Sequence, residues 1–185
     1  MQRNDLYWSL TEGAVYLQKK FKMRVLRLIP LLAVLFLASC LKKDTGCSYS
    51  TGNKTAPVSE EQAIMAYLST NGITATKHAS NLYYEVLNPG TGSSPNLCSN
   101  ILIKYTGKLT NGTVFDSQNS AVFVLGTLID GWKIGIPLLK KGGQIRLYIP
   151  PTLGYGSTDV KDQNGNVIIP GNSILIFDIT LSDFQ

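Results

Sequence analysis

The chain has 185 residues, 44% of them hydrophobic, with 17 Gly and 8 Pro. That leaves room for one domain plus an appendage, with enough turn formers for a β-rich fold. Six of the 17 basic residues and only two of the 12 acids precede Cys40, leaving 11 basic against 10 acidic residues from there on. The formal charge of +5 is therefore confined to the front of the chain, and a nearly neutral body excludes nucleic acid as a partner.

Met1 to Lys22 has no signal character, and translation is expected to start at Met23, the first 22 residues being an over-long extension. Met23 to Arg27 is basic and leads into the apolar run Leu28 to Ala38. At 11 residues this run is too short to span a bilayer, which takes about 20, and has the length of a secretory signal core, about 7–15. Leu37-Ala38-Ser39-Cys40 resembles the bacterial lipobox, which implies a diacylglyceryl group on the Cys40 thiol and cleavage of 23–39 to leave Cys40 as the new N-terminus. Leu41 is not an acidic retention residue, so the expected location is the cell envelope, lipid-anchored in the outer membrane and facing the periplasm. In that oxidising compartment Cys47 and Cys98 could pair or could stay two independent thiols; spacing does not decide. With His78 as the single histidine, too few ligands exist for a metal site, and no cofactor or metal is expected.

Leu41 to Pro57 is polar and aperiodic and reads as a flexible tether. Ser59-Glu60-Glu61-Gln62 has the pattern of a capping box, and Ala63, Ile64, Tyr67 and Leu68 follow at helical spacing up to the stop Asn71-Gly72. This appended helix, with its linker, occupies 58–79. Its apolar face is expected to pack on the domain's own flank, leaving a monomer; dimerisation through that face is the alternative. His78 sits in a polar stretch and reads as a solvated linker residue.

From residue 80 onward the pattern is that of strands. Leu82 to Leu87 ends at the loop Asn88-Pro89-Gly90; Ile101, Ile103 and Tyr105 alternate with Leu102, Lys104 and Thr106. Asn111-Gly112 can form a type I′ hairpin turn. Phe123 and Leu125 belong to a next short strand, and Asp130 can cap a short helix bearing Trp132, Ile136 and Leu139. Pro137 would cost about 3 kcal/mol inside a helix, so this one should end by Ile136. Ile145, Leu147 and Ile149 alternate with Arg146 and Tyr148, and a last strand presents Leu175, Phe177, Ile179 and Leu181 on its inner face. About five strands around one short helix make an α+β layer.

Nine apolar or aromatic residues and one acid recur beside turns in this stretch: Tyr105, Phe115, Asp116, Phe123, Leu128, Ile129, Trp132, Tyr155, Ile169 and Phe177. They describe a concave aromatic pocket with one buried acid, able to bind an apolar peptide without hydrolysing it. No Ser/His/Asp or Cys/His constellation accompanies them. Asp159 and Asp162, with Asn164 and Asn166, lack the Gly and Glu positions of a calcium loop and read as a solvated turn.

In combination, Tyr105-Thr106-Gly107, Val114-Phe115-Asp116-Ser117, Leu128-Ile129-Asp130-Gly131-Trp132, Leu153-Gly154-Tyr155-Gly156, Ile169-Pro170-Gly171 and Phe177-Asp178 resemble the FK506-binding-protein family of peptidyl-prolyl cis-trans isomerases, over residues 80–185. The resemblance implies a curved antiparallel five-stranded sheet wrapped around a short helix, with the N-terminal helix appended. It implies Trp132 as the floor under a substrate proline, Tyr105, Phe115, Phe123 and Phe177 as walls, and Leu128, Ile129 and Ile169 as the rim. The Ile129 N–H and the Tyr155 hydroxyl would bond substrate carbonyls, and Asp116 would orient Tyr105. The implied partners are proline-containing unfolded or exported polypeptides, with macrolides as inhibitors; the implied alternative is a peptide-binding chaperone with little catalysis. Two departures stand out: the loop expected at Ser117–Val122 is short and lacks the family's acid-plus-arginine pair, and Thr158–Val167 is long.

Overall fold

The computed structural model describes residues 46–51 and 54–185, and Cys47–Gln185 forms one unit. The expected extension, the expected signal segment and the expected lipidation residue Cys40 lie outside the described residues.

A helix, α1 (Val58–Thr70), precedes two short strands, β1 (Thr76–Lys77) and β2 (Tyr83–Asn88). Then follow β3 (Asn100–Leu109), β4 (Val114–Val124), a 3-10 turn, α2 (Asp130–Gly135), β5 (Gln144–Ile149), the hairpin β6 (Val160–Lys161) and β7 (Val167–Ile169), and β8 (Leu175–Phe184). Six strands form one antiparallel sheet in the order β1-β2-β5-β8-β3-β4. The family-type α+β architecture is present, with six strands rather than five because Thr76–Lys77 adds a two-residue edge to β2.

Period-two alternation decides the two faces. Ile101, Ile103 and Tyr105 on β3, Ile145, Leu147 and Ile149 on β5, and Leu175, Phe177, Ile179 and Leu181 on β8 are all buried in one cluster with Trp132, Ile136 and Leu139. On the other face Tyr83, Tyr148 and Ile176 are covered by Ile64 and Leu68 of α1. Helix α2 seats close to β5 because Gly131 and Gly135 face it: a Cβ at either would stand 2.6 Å from Ile149 or 2.5 Å from Leu147. One helical turn apart, the two glycines set the depth at which Trp132 is held. The helix ends at Gly135 and passes into a 3-10 turn carrying Pro137, as its missing N–H requires.

Several local expectations are corrected. No side-chain cap closes α1, whose N-cap is Pro57. The helix begins at Val58, so Ser59 lies within its first turn and not at the cap; Glu60 accepts bonds from the Thr152 N–H (2.9 Å) and hydroxyl (2.7 Å), and Glu61 accepts one from Tyr83. Asp130 does not cap α2 either, but pairs with Lys54 and Lys133. In the β3–β4 turn Gly112 has φ 86° and Asn111 is not left-handed. With Gly112 N–H bonded to Leu109 O, this is a type I turn closed by a left-handed glycine, not type I′. Ser117–Val122 is not a loop, and Phe123 does not begin a new strand: β4 runs through both without interruption. The long Asp/Asn-rich segment contains the β6–β7 hairpin, where Asp162 accepts bonds from the backbone of Asn164 and Asn166.

The expected tether is bound to the domain through much of its described length. Cys47 is disulfide-bonded to Cys98, Tyr49 packs on Gly126, Lys54 reaches Asp130, and Ala56 is buried with its N–H on Ser80 O. His78 is half-buried rather than solvated, its Nδ1 bonded to the Ser80 hydroxyl at 2.8 Å.

Candidate functional site

Tyr105 is placed by β3, Asp116 and Phe123 by β4, Trp132 by α2 and Phe177 by β8. Neighbours along a regular strand point to opposite faces, yet Phe115 and Asp116 serve the same side. The β3–β4 register shifts between Gly107 and Lys108, adding one residue to β4 there. Such a bulge re-aims side chains. It lets the Phe115 ring pack on Phe177 while Asp116 meets Tyr105.

The result is a cavity of about 230 Å³ lined by Tyr105, Asp116, Phe123, Leu128, Ile129, Trp132, Tyr155 and Phe177. Trp132 is 5% exposed and stands edge-on to Tyr105 (centroids 5.1 Å apart, 77°) and to Phe177 (5.0 Å, 86°). Phe123 closes the ring of aromatics at 6.4 Å from both Trp132 and Tyr105. Edge-to-face pairs of this kind contribute about 0.5–1.5 kcal/mol each beyond area burial, so the walls are rigid before any ligand arrives. Eight of the ten residues singled out in the sequence thus meet. Phe115 and Ile169 do not line the cavity: Phe115 backs the Phe177 wall, and Ile169 is buried in the core beneath β6.

The acid is not buried. Asp116 lies exposed on an outermost strand, at the cavity's rim, and accepts the Tyr105 hydroxyl at 2.6 Å. Burial raises the Tyr105 phenol well above its ordinary range, and the bond to Asp116 raises it further. Burial likewise raises the Tyr155 phenol, with the Asp116 charge adding to it, although the ring is 45% exposed at the mouth. Both phenols are therefore donors at neutral pH, and neither is poised to transfer a proton. The Trp132 Nε1 is buried without a hydrogen-bond partner, in a region otherwise walled by rings. What the cavity offers is an aromatic-walled slot with a carboxylate and a phenol at its mouth, suited to a flat apolar ring attached to a polar backbone.

Sequence reasoning assigned Gly107 no role. A Cβ there would stand 2.6 Å from the Phe115 ring and 2.7 Å from that of Phe177, so its absence lets the wall form. A glycine inside an alternating strand was the signal, since it marks a close approach. A larger, more open hollow of about 660 Å³ includes Lys54, His78, Asn96 and Lys133 in its lining. Both its lysines are paired with Asp130 and it gathers no aromatic cluster, so the smaller cavity is the candidate site.

Residues 92–182 match the family described as FKBP-type peptidyl-prolyl cis-trans isomerase. A probable FKBP-type peptidyl-prolyl cis-trans isomerase of Haemophilus influenzae is 41% identical over 56% of this chain and 43% of its own length. The chain spans less than half the length of such relatives. Among solved structures, AtFKBP13 is 32% identical with a TM-score of 0.56, over 60% of this chain and 99% of that one. A peptidyl-prolyl cis-trans isomerase of Pseudomonas syringae pv. tomato is 25% identical with a TM-score of 0.59, over 72% of this chain and 99% of that one. With a relative matched over nearly its whole length and the sheet, helix and aromatic cavity in place, the chain belongs to the FKBP-type peptidyl-prolyl cis-trans isomerase family.

Proposed function

We propose that this protein accelerates cis-trans isomerisation of X–Pro bonds in exported polypeptides, held at the bacterial outer membrane by lipid on Cys40. The observation that carries the reading is the aromatic cavity around the buried Trp132, with Asp116 and the Tyr155 hydroxyl at its exposed mouth. An X–Pro amide crosses a barrier of about 18–20 kcal/mol because rotation breaks its resonance. The twisted amide has less charge separation than the planar one, so an apolar slot penalises it less than it penalises the ground state. The proline ring sits on the Trp132 indole, and the Ile129 N–H and Tyr155 hydroxyl hold the flanking carbonyls. Asp116 orients Tyr105 by accepting its hydroxyl and lies beside the turning carbonyl. Neither nucleophile nor proton transfer is needed. Each tenfold in rate takes about 1.4 kcal/mol of preferential binding.

A protease-coupled tetrapeptide isomerisation assay tests this. Wild-type turnover should fall steeply in Asp116→Val and Trp132→Ala. Because a Trp→Ala change in a core costs about 3–5 kcal/mol, Tyr155→Phe at the exposed mouth serves as the folded control variant and should lower turnover without unfolding. A wild-type protein that suppresses aggregation yet turns over no tetrapeptide would replace this reading with that of a peptide-binding chaperone.

A further inference from the structure

Strand β4 is the outermost of the sheet, and among the described residues it pairs only with β3. It runs 11 residues without a break. Every second residue of such a strand turns its N–H and C=O away from its neighbour, so a row of backbone groups faces outward. Proteins usually protect long edges with Lys, Pro, bulges, or a covering helix or loop. This one has neither Lys nor Pro, its only charge is Asp116, and Val114 and Val122 are 52% and 64% exposed. Two bulges, one at Phe115 and one opposite Lys104 between Gln118 and Ala121, bend the ladder without ending it.

The edge and the cavity are continuous. Asp116 and Phe123, on either side of the second bulge, both line the cavity, and the intervening residues Ser117 to Ser120 are exposed. A polypeptide with its proline on Trp132 can leave the cavity past Asp116 or Phe123 and so along this edge. Residues before a proline are already held extended, in the conformation an added strand needs. At about 3.3 Å per residue, the stretch from Asp116 to Phe123 accommodates roughly six residues of a partner strand.

We infer that the outer edge of β4 is an extended substrate subsite, on which the chain flanking the X–Pro bond adds as a further antiparallel or parallel strand. The inference rests on the proline occupying the Trp132 cavity, and it names the substrate class: segments extended and low in charge for several residues beside the proline. Backbone pairing gives affinity without side-chain sequence, which suits an isomerase that must serve many unfolded clients.

The test is a backbone scan on the full chain. A fluorescein-labelled peptide of roughly twelve residues, Ser, Thr and Val around one central Ala–Pro, is compared with the Ala–Pro tetrapeptide for binding by anisotropy and for turnover. The longer peptide should bind at least tenfold tighter. Single N-methylation should weaken it by roughly two- to tenfold at every second position on one side of the proline and leave the intervening positions unaffected. A period of two is the signature of a strand; contacts through side chains would not produce it. Equal affinity of long and short peptides, or N-methyl effects without that period, overturns the edge inference while leaving tetrapeptide turnover, and so the isomerase reading, intact. Loss of tetrapeptide turnover alone overturns the isomerase reading, and anisotropy still reports on the edge. A dimer joined through β4 that excess peptide fails to dissociate would also overturn it.

Discussion

Replacing Tyr105 by Phe removes one oxygen and leaves the ring packed against Trp132, Phe123 and Phe177. The lost bond is 2.6 Å long and charge-assisted, a class worth about 1.5–3 kcal/mol when both partners are sequestered. Here only one is: Tyr105 is 7% exposed, while Asp116 is exposed and regains water. The stability cost should therefore be about 1 kcal/mol, a few degrees in Tm for a domain of this size. The functional cost should be larger, because the freed carboxylate no longer faces the cavity in one rotamer. A drop of about tenfold in kcat/KM on a prolyl tetrapeptide corresponds to about 1.4 kcal/mol. Asp116→Asn and the double variant complete a cycle in which the second change adds little to the first, since both dissolve the same unit. Wild-type kcat/KM in Tyr105→Phe, or fully additive losses in the double variant, would refute the orienting role.

Gly107→Ala should cost about 1–3 kcal/mol by overpacking, because its methyl meets the Phe115 and Phe177 rings. Displacing Phe177 should also lower turnover, which chemical denaturation and the tetrapeptide assay read separately. Reducing the Cys47–Cys98 disulfide frees a loop closed over 51 residues. Urea unfolding with and without dithiothreitol should show a loss of about 2–4 kcal/mol, and an unchanged midpoint would mean that the tethered segment contributes nothing. Stability should have two pH limbs. Burial alone would raise Asp178 and Asp130, but bonds from Arg146 and Lys108 to the first, and from Lys54 and Lys133 to the second, hold both carboxyls below their ordinary range. Their contribution is present above about pH 4 and disappears as pH falls through the lowered folded values. Burial, then bonds to Asp116 and Glu85, raise Tyr105 and Tyr148. That contribution is present below about pH 10 and is lost as pH rises toward their folded values. A thermal-melt series flat from pH 2 to 11 would contradict both limbs.

Much of this molecule is legible along the chain because its signals are local. Alternation in Ile145–Ile149 and Leu175–Leu181 announces strands with one buried face, and Pro137 dictates where α2 stops. The spacing of Ile64 and Leu68 marks the face of α1 that covers the sheet. Eight cavity-lining side chains could be named, although Tyr105 and Phe177 lie within strands and Trp132 in α2, not at strand ends or in turns.

Tertiary structure alone decided the rest, because those outcomes depend on what lies across from a residue. Ser59 falls inside the first turn of α1 and not at its cap, Glu60 binds Thr152, far away in sequence, and Ser117–Val122 becomes strand because β3 offers it a ladder. Asp116 is exposed, not buried, because nothing described pairs with the far side of β4. Cys47 and Cys98 meet because the segment before α1 folds back over the domain. Composition and period determine which elements exist and which way they face. Register, edges and long-range partners arise only when those elements compete for one another's hydrogen bonds and surfaces.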